Sequence, residues 1–157
     1  MSKKQVDDSL RTLQIIALAF MSSGVLYVGA LYMLGFADPS PLDDVQMMGA
    51  ALSLMALSSA ASSFIVPRIA APMKPTPNMT PVDELTLGLN QYRVRTILAF
   101  VMSEAVVLFG FALAYLGQTP WWCVPFWILM EALMLVHFPR RSAFLSELSE
   151  DARSLAG

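Results

Sequence analysis

Four apolar runs, residues 13–35, 47–66, 97–116 and 121–138, constrain this chain more than any other feature. A hydrocarbon core of roughly 30 Å takes about 20 apolar residues of helix to cross, at a rise of about 1.5 Å per residue. The first three runs reach that length, and the fourth, the shortest, leans on its flanks. With 56% hydrophobic and 14% charged residues in 157, the chain carries more apolar surface than a soluble domain of this size can hide. The expectation is an all-α fold: a single membrane domain forming a four-helix transmembrane bundle of two helical hairpins, with short cytoplasmic interfacial helices. The cytoplasmic loop spans 67–95 and the cytoplasmic tail 139–157.

Charge placement sets the expected orientation. All ten Lys and Arg residues fall in three places: Lys3, Lys4 and Arg11; Arg68, Lys74, Arg93 and Arg95; and Arg140, Arg141 and Arg153. The loops 36–46 and 117–120 have none. The positive-inside rule then puts both termini and the central loop in the cytoplasm, as in a multi-pass inner-membrane protein. Trp121 and Trp122 fall at the outer interface, where an aromatic belt belongs. Gly35-Phe36-Ala37 offers a cleavage site for a secretory signal, but the run before it exceeds the 7–15 residues of a typical h-region.

Cys123 is the single cysteine and His137 the single histidine. An intrachain disulfide, a cysteine-rich metal site, bis-histidine haem, iron–sulfur clusters and histidine-rich zinc sites are therefore excluded. The net charge is −2 and no dense basic patch exists, so nucleic acid is not an expected partner. There is no nucleophile–base pair and no phosphate-cradling glycine loop. A non-enzymatic protein without a cofactor is expected.

Several local signals bear on organisation. Asp7, Asp8 and Ser9 offer N-caps for the first helix. Pro67, Pro72, Pro75, Pro77 and Pro81 make the first half of the central loop extended. Thr80-Pro81 followed by Asp83 and Glu84 reads as an N-cap, a proline at N1 and an acidic first turn, opening a short interfacial helix with Val82, Leu85, Leu89 and Tyr92 on one face. In the tail, Phe144, Leu148 and Leu155 recur at helical spacing, which fits either a surface helix or a frayed end. Leu18-Ala19-Phe20 recurs as Leu98-Ala99-Phe100, and Val66-Pro67-Arg68 resembles Phe138-Pro139-Arg140, as a duplicated hairpin would produce.

Glu104 and Glu131 are the only charged residues inside the four runs. A charged group at bilayer depth costs at least about 2.5–3.5 kcal/mol on insertion scales. Each lies seven residues from a cytoplasmic boundary, roughly 10 Å deep at the helical rise. Ser59, Ser22, Ser23 and Ser103 reach the same depth, so all four helices can contribute oxygens to one polar layer. That layer could bind a proton or cation, or simply fix packing through hydrogen bonds between helices. The second run is rich in small residues, including Gly49, Ser53, Ser59 and Ser63. It reads as the packing centre of the bundle or as a contact surface for a partner. His137 reads as a headgroup-level histidine and Cys123 as a small apolar residue.

Residues 95–114, with Glu104-Ala105 and then Phe109-Gly110, resemble the carboxylate-bearing helix of the proteolipid c subunit of rotary ATP synthases. The resemblance implies that Glu104 is an ion-binding carboxylate on a helix leaving a cytoplasmic loop. It covers one helix. The family's glycine repeat is missing, its short polar loop is replaced by a proline-rich one, and two further helices are present. Three roles stay open: an accessory or structural subunit of a larger membrane complex, a proton- or cation-translocating protein using Glu104 and Glu131, and a small homodimeric exporter.

Overall fold

A computed structural model describes residues 3–34, 42–72, 79–117 and 119–156, and among these the chain is helical without a strand. The long helices are α1 (Lys3–Leu34), α2 (Leu42–Ala70) and α3 (Pro81–Leu116). A 3-10 turn (Pro120–Trp122) leads into α4 (Cys123–Val136), and α5 (Arg141–Ser146) and α6 (Glu150–Ala156) follow. Three helices are long and apolar enough to cross a membrane; Pro120–Val136 is a shorter apolar helix.

Helix starts follow local chemistry, with one correction. α3 begins as its sequence signals: Thr80 is extended, its hydroxyl oxygen accepts from the Asp83 N–H at 3.3 Å, and Pro81 stands at N1. α1 does not begin at Asp7–Ser9. It starts at Lys3 and runs through them, and Ser9, inside the helix, turns its hydroxyl onto the Gln5 carbonyl instead of capping, as Thr12 does onto that of Asp8.

The expected short interfacial helix before the third span is instead part of one 36-residue helix. No proline interrupts Val82–Leu116, and at about 1.5 Å per residue its length is nearly twice a hydrocarbon core. α2 likewise runs past Pro67 to Ala70, only one turn beyond the residue that breaks its ladder. Pro139, by contrast, lies outside α4, so the two similar Pro-Arg exits have different local structures.

α3 is the packing centre, not α2. Of the most apolar stretch of each helix, 44% is buried in α3, 17% in α1 and 11% in α2. α1 and α2 pack on α3 from separate sides, and α4 closes against α3 and α1. One cluster joins α1, α3 and α4 around Ala17, Leu31, Phe100, Val107, Met130 and Met134. A smaller one joins α2, α3 and α4 around Ala56, Val106 and Leu133. Two glycines permit these approaches: a Cβ on Gly24 would meet Trp127 and Met130 of α4, and one on Gly110 would meet Phe126. The outward faces carry large apolar side chains, among them Leu26 (71% exposed) and Leu54 (70%). Apolar surface this continuous belongs against lipid or a partner.

A third core lies at the margin of the long apolar runs, at the end holding most of the basic residues. Val6, Leu10 and Leu13 of α1 meet Leu85, Leu89 and Tyr92 of α3 and Phe144, Leu148 and Ala152 of the tail. The tail is therefore ordered as two short helices. Phe144 and Leu148 face inward as their spacing predicts, while Leu155 is 44% exposed. Polar ties close this core. Arg95 pairs with Glu147 at 2.7 Å, Arg93 donates to the Ser9 hydroxyl at 2.6 Å, and Ser149 donates through both N–H and hydroxyl to Glu84. At the other end Tyr32 meets Trp121 edge-on, with ring centroids 5.7 Å apart, and Trp122 packs over Gly117.

Candidate functional site

Glu104 stands two-thirds of the way along α3 and is half-buried. The Tyr27 hydroxyl of α1 donates to its Oε1 at 3.1 Å, and the Tyr27 ring is steadied by Phe111, 5.8 Å away between centroids. Glu131 of α4, also half-buried, accepts at 3.1 Å from Trp127 Nε1, one turn earlier on the same helix. The Trp127 ring occupies the space left by Gly24 of α1. Both carboxylates are thus tied to one turn of α1, Gly24 to Tyr27, roughly 4.5 Å of helical rise.

Equal depth does not become contact. Among the described residues neither carboxylate hydrogen-bonds the other or a serine, and neither pairs with a cation. Ser22, Ser23 and Ser103 donate to the carbonyls of Ala19, Phe20 and Ala99 on their own helices, at 2.7, 2.6 and 2.8 Å. A hydroxyl can close such a bond without leaving its helix, so depth alone does not gather hydroxyls around a carboxylate. Ser59 is half-exposed on α2 and makes no hydrogen bond among the described residues. Each glutamate has one neutral aromatic donor, and no group of three His, Cys, Asp or Glu able to hold a metal occurs among the described residues.

A second polar site is built where the helices leave the apolar zone, and sequence reasoning missed it. A cavity of about 180 Å³ lies between the last turn of α2, the Tyr92–Ala99 stretch of α3, the exit of α4 and the tail. His137 stands on its wall, with its ring 4.7 Å from Phe64 between centroids and Nε2 3.1 Å from the Ser63 hydroxyl. That hydroxyl gives its hydrogen to the Ala60 carbonyl at 2.7 Å, so Nε2–H is the donor to Ser63. Arg68 and Arg95 supply positive charge to the walls; Arg95 is held by Glu147, and Arg68 has no ion pair among the described residues. The one sequence signal was the basic residue at each exit, which the positive-inside rule already explains.

No family model, curated protein or solved structure matches this chain.

Proposed function

We propose that this protein is a four-span inner-membrane protein with cytoplasmic termini, two helical hairpins forming one bundle, and that it serves as a non-catalytic accessory subunit of a larger membrane complex. The common core of the α1 start, the α3 start and the post-α4 tail supports an even number of crossings. The basic residues of that end support its cytoplasmic placement, and the Tyr32–Trp121 pair at the other end suits an outer interface.

The accessory role rests on the outer face of α2. Ser53, Ser58, Ser59 and Ser62 make no hydrogen bond among the described residues, whereas Ser22, Ser23, Ser63 and Ser103 each satisfy theirs. Ser58 is exposed together with Ala50, Ala51 and Ala61, and the other three serines are half-exposed. Small residues allow close approach of another helix, and open hydroxyls gain partners across such a contact. Native mass spectrometry of the protein extracted from its own membrane in mild detergent tests this. Unrelated membrane subunits bound in fixed stoichiometry are expected, and a lone monomer would overturn the accessory role.

A second reading, proton or cation translocation, draws on the half-buried Glu104 and Glu131 and on the resemblance of α3 to the proteolipid helix. It requires ion flux in proteoliposomes of the purified chain that Glu104→Gln or Glu131→Gln abolishes while the variant remains folded. A closed ring of identical chains in the mass spectrum would favour this reading.

A further inference from the structure

We infer that the cavity between the ends of α2, α3 and α4 binds the phosphate of an anionic phospholipid headgroup, with Arg68 and Arg95 as its donors. This rests on the reading that the basic end lies at a membrane surface.

The walls divide by chemistry. On the lipid side stand Phe64, 38% exposed, and Val136, 65% exposed, both continuous with the apolar faces of α2 and α4. On the other side stand Arg68, Arg95 and His137. An acyl chain can lie along the first wall while its phosphate reaches the second. At about 180 Å³ the cavity holds a phosphate group with some water, since each water takes about 30 Å³.

The charge balance favours an anion. Two guanidinium groups face one carboxylate, Glu147, which engages a single Arg95 nitrogen at 2.7 Å and leaves other Arg95 donors for a ligand. Arg68 has no anionic partner among the described residues, although it stands beside the apolar wall. Guanidinium donors match phosphate oxygens in geometry, and basic pockets between helices at the cytoplasmic boundary suit anionic headgroups. The remaining polar side chains are occupied. Tyr92 exchanges hydrogen bonds with the Arg140 backbone, Thr96 bonds the Tyr92 carbonyl, and His137 bonds Ser63. The arginines alone are left to recognise the ligand.

The test is native mass spectrometry of the full chain in detergent, titrated with phosphatidylglycerol or with phosphatidylcholine. One phosphatidylglycerol per chain is expected to be retained in preference to phosphatidylcholine. Arg68→Gln should weaken that preference about fivefold, the contribution of one arginine near a membrane surface. Arg153→Gln, in the tail, should leave it unchanged. Arg68→Gln is expected to fold, because Arg68 makes no hydrogen bond or ion pair among the described residues; equal thermal stability in phosphatidylcholine nanodiscs checks this. Equal retention by wild type and Arg68→Gln would overturn the site, as would equal retention of the two lipids. Displacement of the bound lipid by millimolar inorganic phosphate would overturn the lipid assignment in favour of a soluble phosphate ligand. Release of the chain from membranes by alkaline carbonate would refute the membrane reading itself, whereas an embedded chain without lipid preference refutes only this site.

Discussion

Tyr27 and Glu104 form a side-chain hydrogen bond that crosses between two long helices through a carboxylate. Such bonds average about 0.6 kcal/mol in the membrane protein where they were measured. Tyr27→Phe is therefore expected to cost about 0.5–1 kcal/mol in a detergent unfolding titration. A loss several times larger would mean that Glu104 organises more than this contact. Gly24 gives a sharper test. A Cβ there would stand 2.5 Å from Trp127 Cδ1, so Gly24→Ala must displace the indole that donates to Glu131. Overpacking of this kind costs about 1–3 kcal/mol. At Gly29 a Cβ meets nothing within 4 Å, so Gly29→Ala should be neutral or stabilising, by up to about 1 kcal/mol from helix propensity. Equal effects of the two alanines would refute the close packing of α1 on α4. The glutamates were legible in the sequence because charge is rare at that depth. Their partners were not: a tyrosine and a tryptophan in apolar runs look like core or belt residues, and an apolar sequence does not fix how its helix is rotated. Arg68, Arg95 and His137 come from three separate stretches of chain, so only the fold reveals their common cavity.

Among the elements, the tail makes the plainest claim. α5 and α6 are too short to persist alone, so their order depends on burying Phe144, Leu148 and Ala152 against α1 and α3. Phe144→Ala should cost about 3–5 kcal/mol of that docking. Trypsin should then cut at Arg140, Arg141 or Arg153 well before the wild-type tail is cleaved, and unchanged protection would refute the docking. The Glu84–Ser149 tie adds a pH dependence. Two hydrogen bonds from Ser149 hold the Glu84 carboxyl below its ordinary value of 4.5. A depressed carboxylate stabilises the docked form fully above the undocked value and loses that contribution as pH falls through the docked one. Protection factors of residues 141–156, corrected for the intrinsic pH dependence of amide exchange, should therefore fall on acidification below about pH 4.5, and Glu84→Gln should flatten that fall. The helical nature of these elements was legible: Thr80-Pro81 with its acidic turn marks the α3 start, and the Phe144 and Leu148 spacing marks the buried tail face. Continuity and partnership were not. Nothing in the sequence at Val94–Ile97 tells a helix entering the bilayer from one ending at its surface. The small residues of α2 fit packing inside this chain as well as packing against another, and in the structure most of that helix faces outward.

For the molecule as a whole, the decisive question is which end faces which compartment. The α1 start, the α3 start and the tail share a core at the basic end, so the proposed topology puts them together on one side of the bilayer. It puts the turn at Thr119 and the aromatic pair Tyr32–Trp121 on the other. Cys123 is fully buried and is the only cysteine, so Cys123→Ala gives a cysteine-free background with a small, apolar change at one core position. In that background, Thr119→Cys is expected to react with a membrane-impermeant maleimide in intact cells whose outer envelope is open. Ser154→Cys, exposed on α6, should react only after the inner membrane is permeabilised. The reverse pattern would invert the protein and move the arginine-lined cavity to the outer leaflet, contrary to the positive-inside rule. Labelling of both positions in intact cells would require an even number of crossings between them. Residues 119 and 154 are separated by α4 alone among the apolar helices, so that result would mean that the short Pro120–Val136 helix does not span. The experiment therefore tests the orientation and the weakest of the four crossings together, and the two failures are distinguished by which positions react.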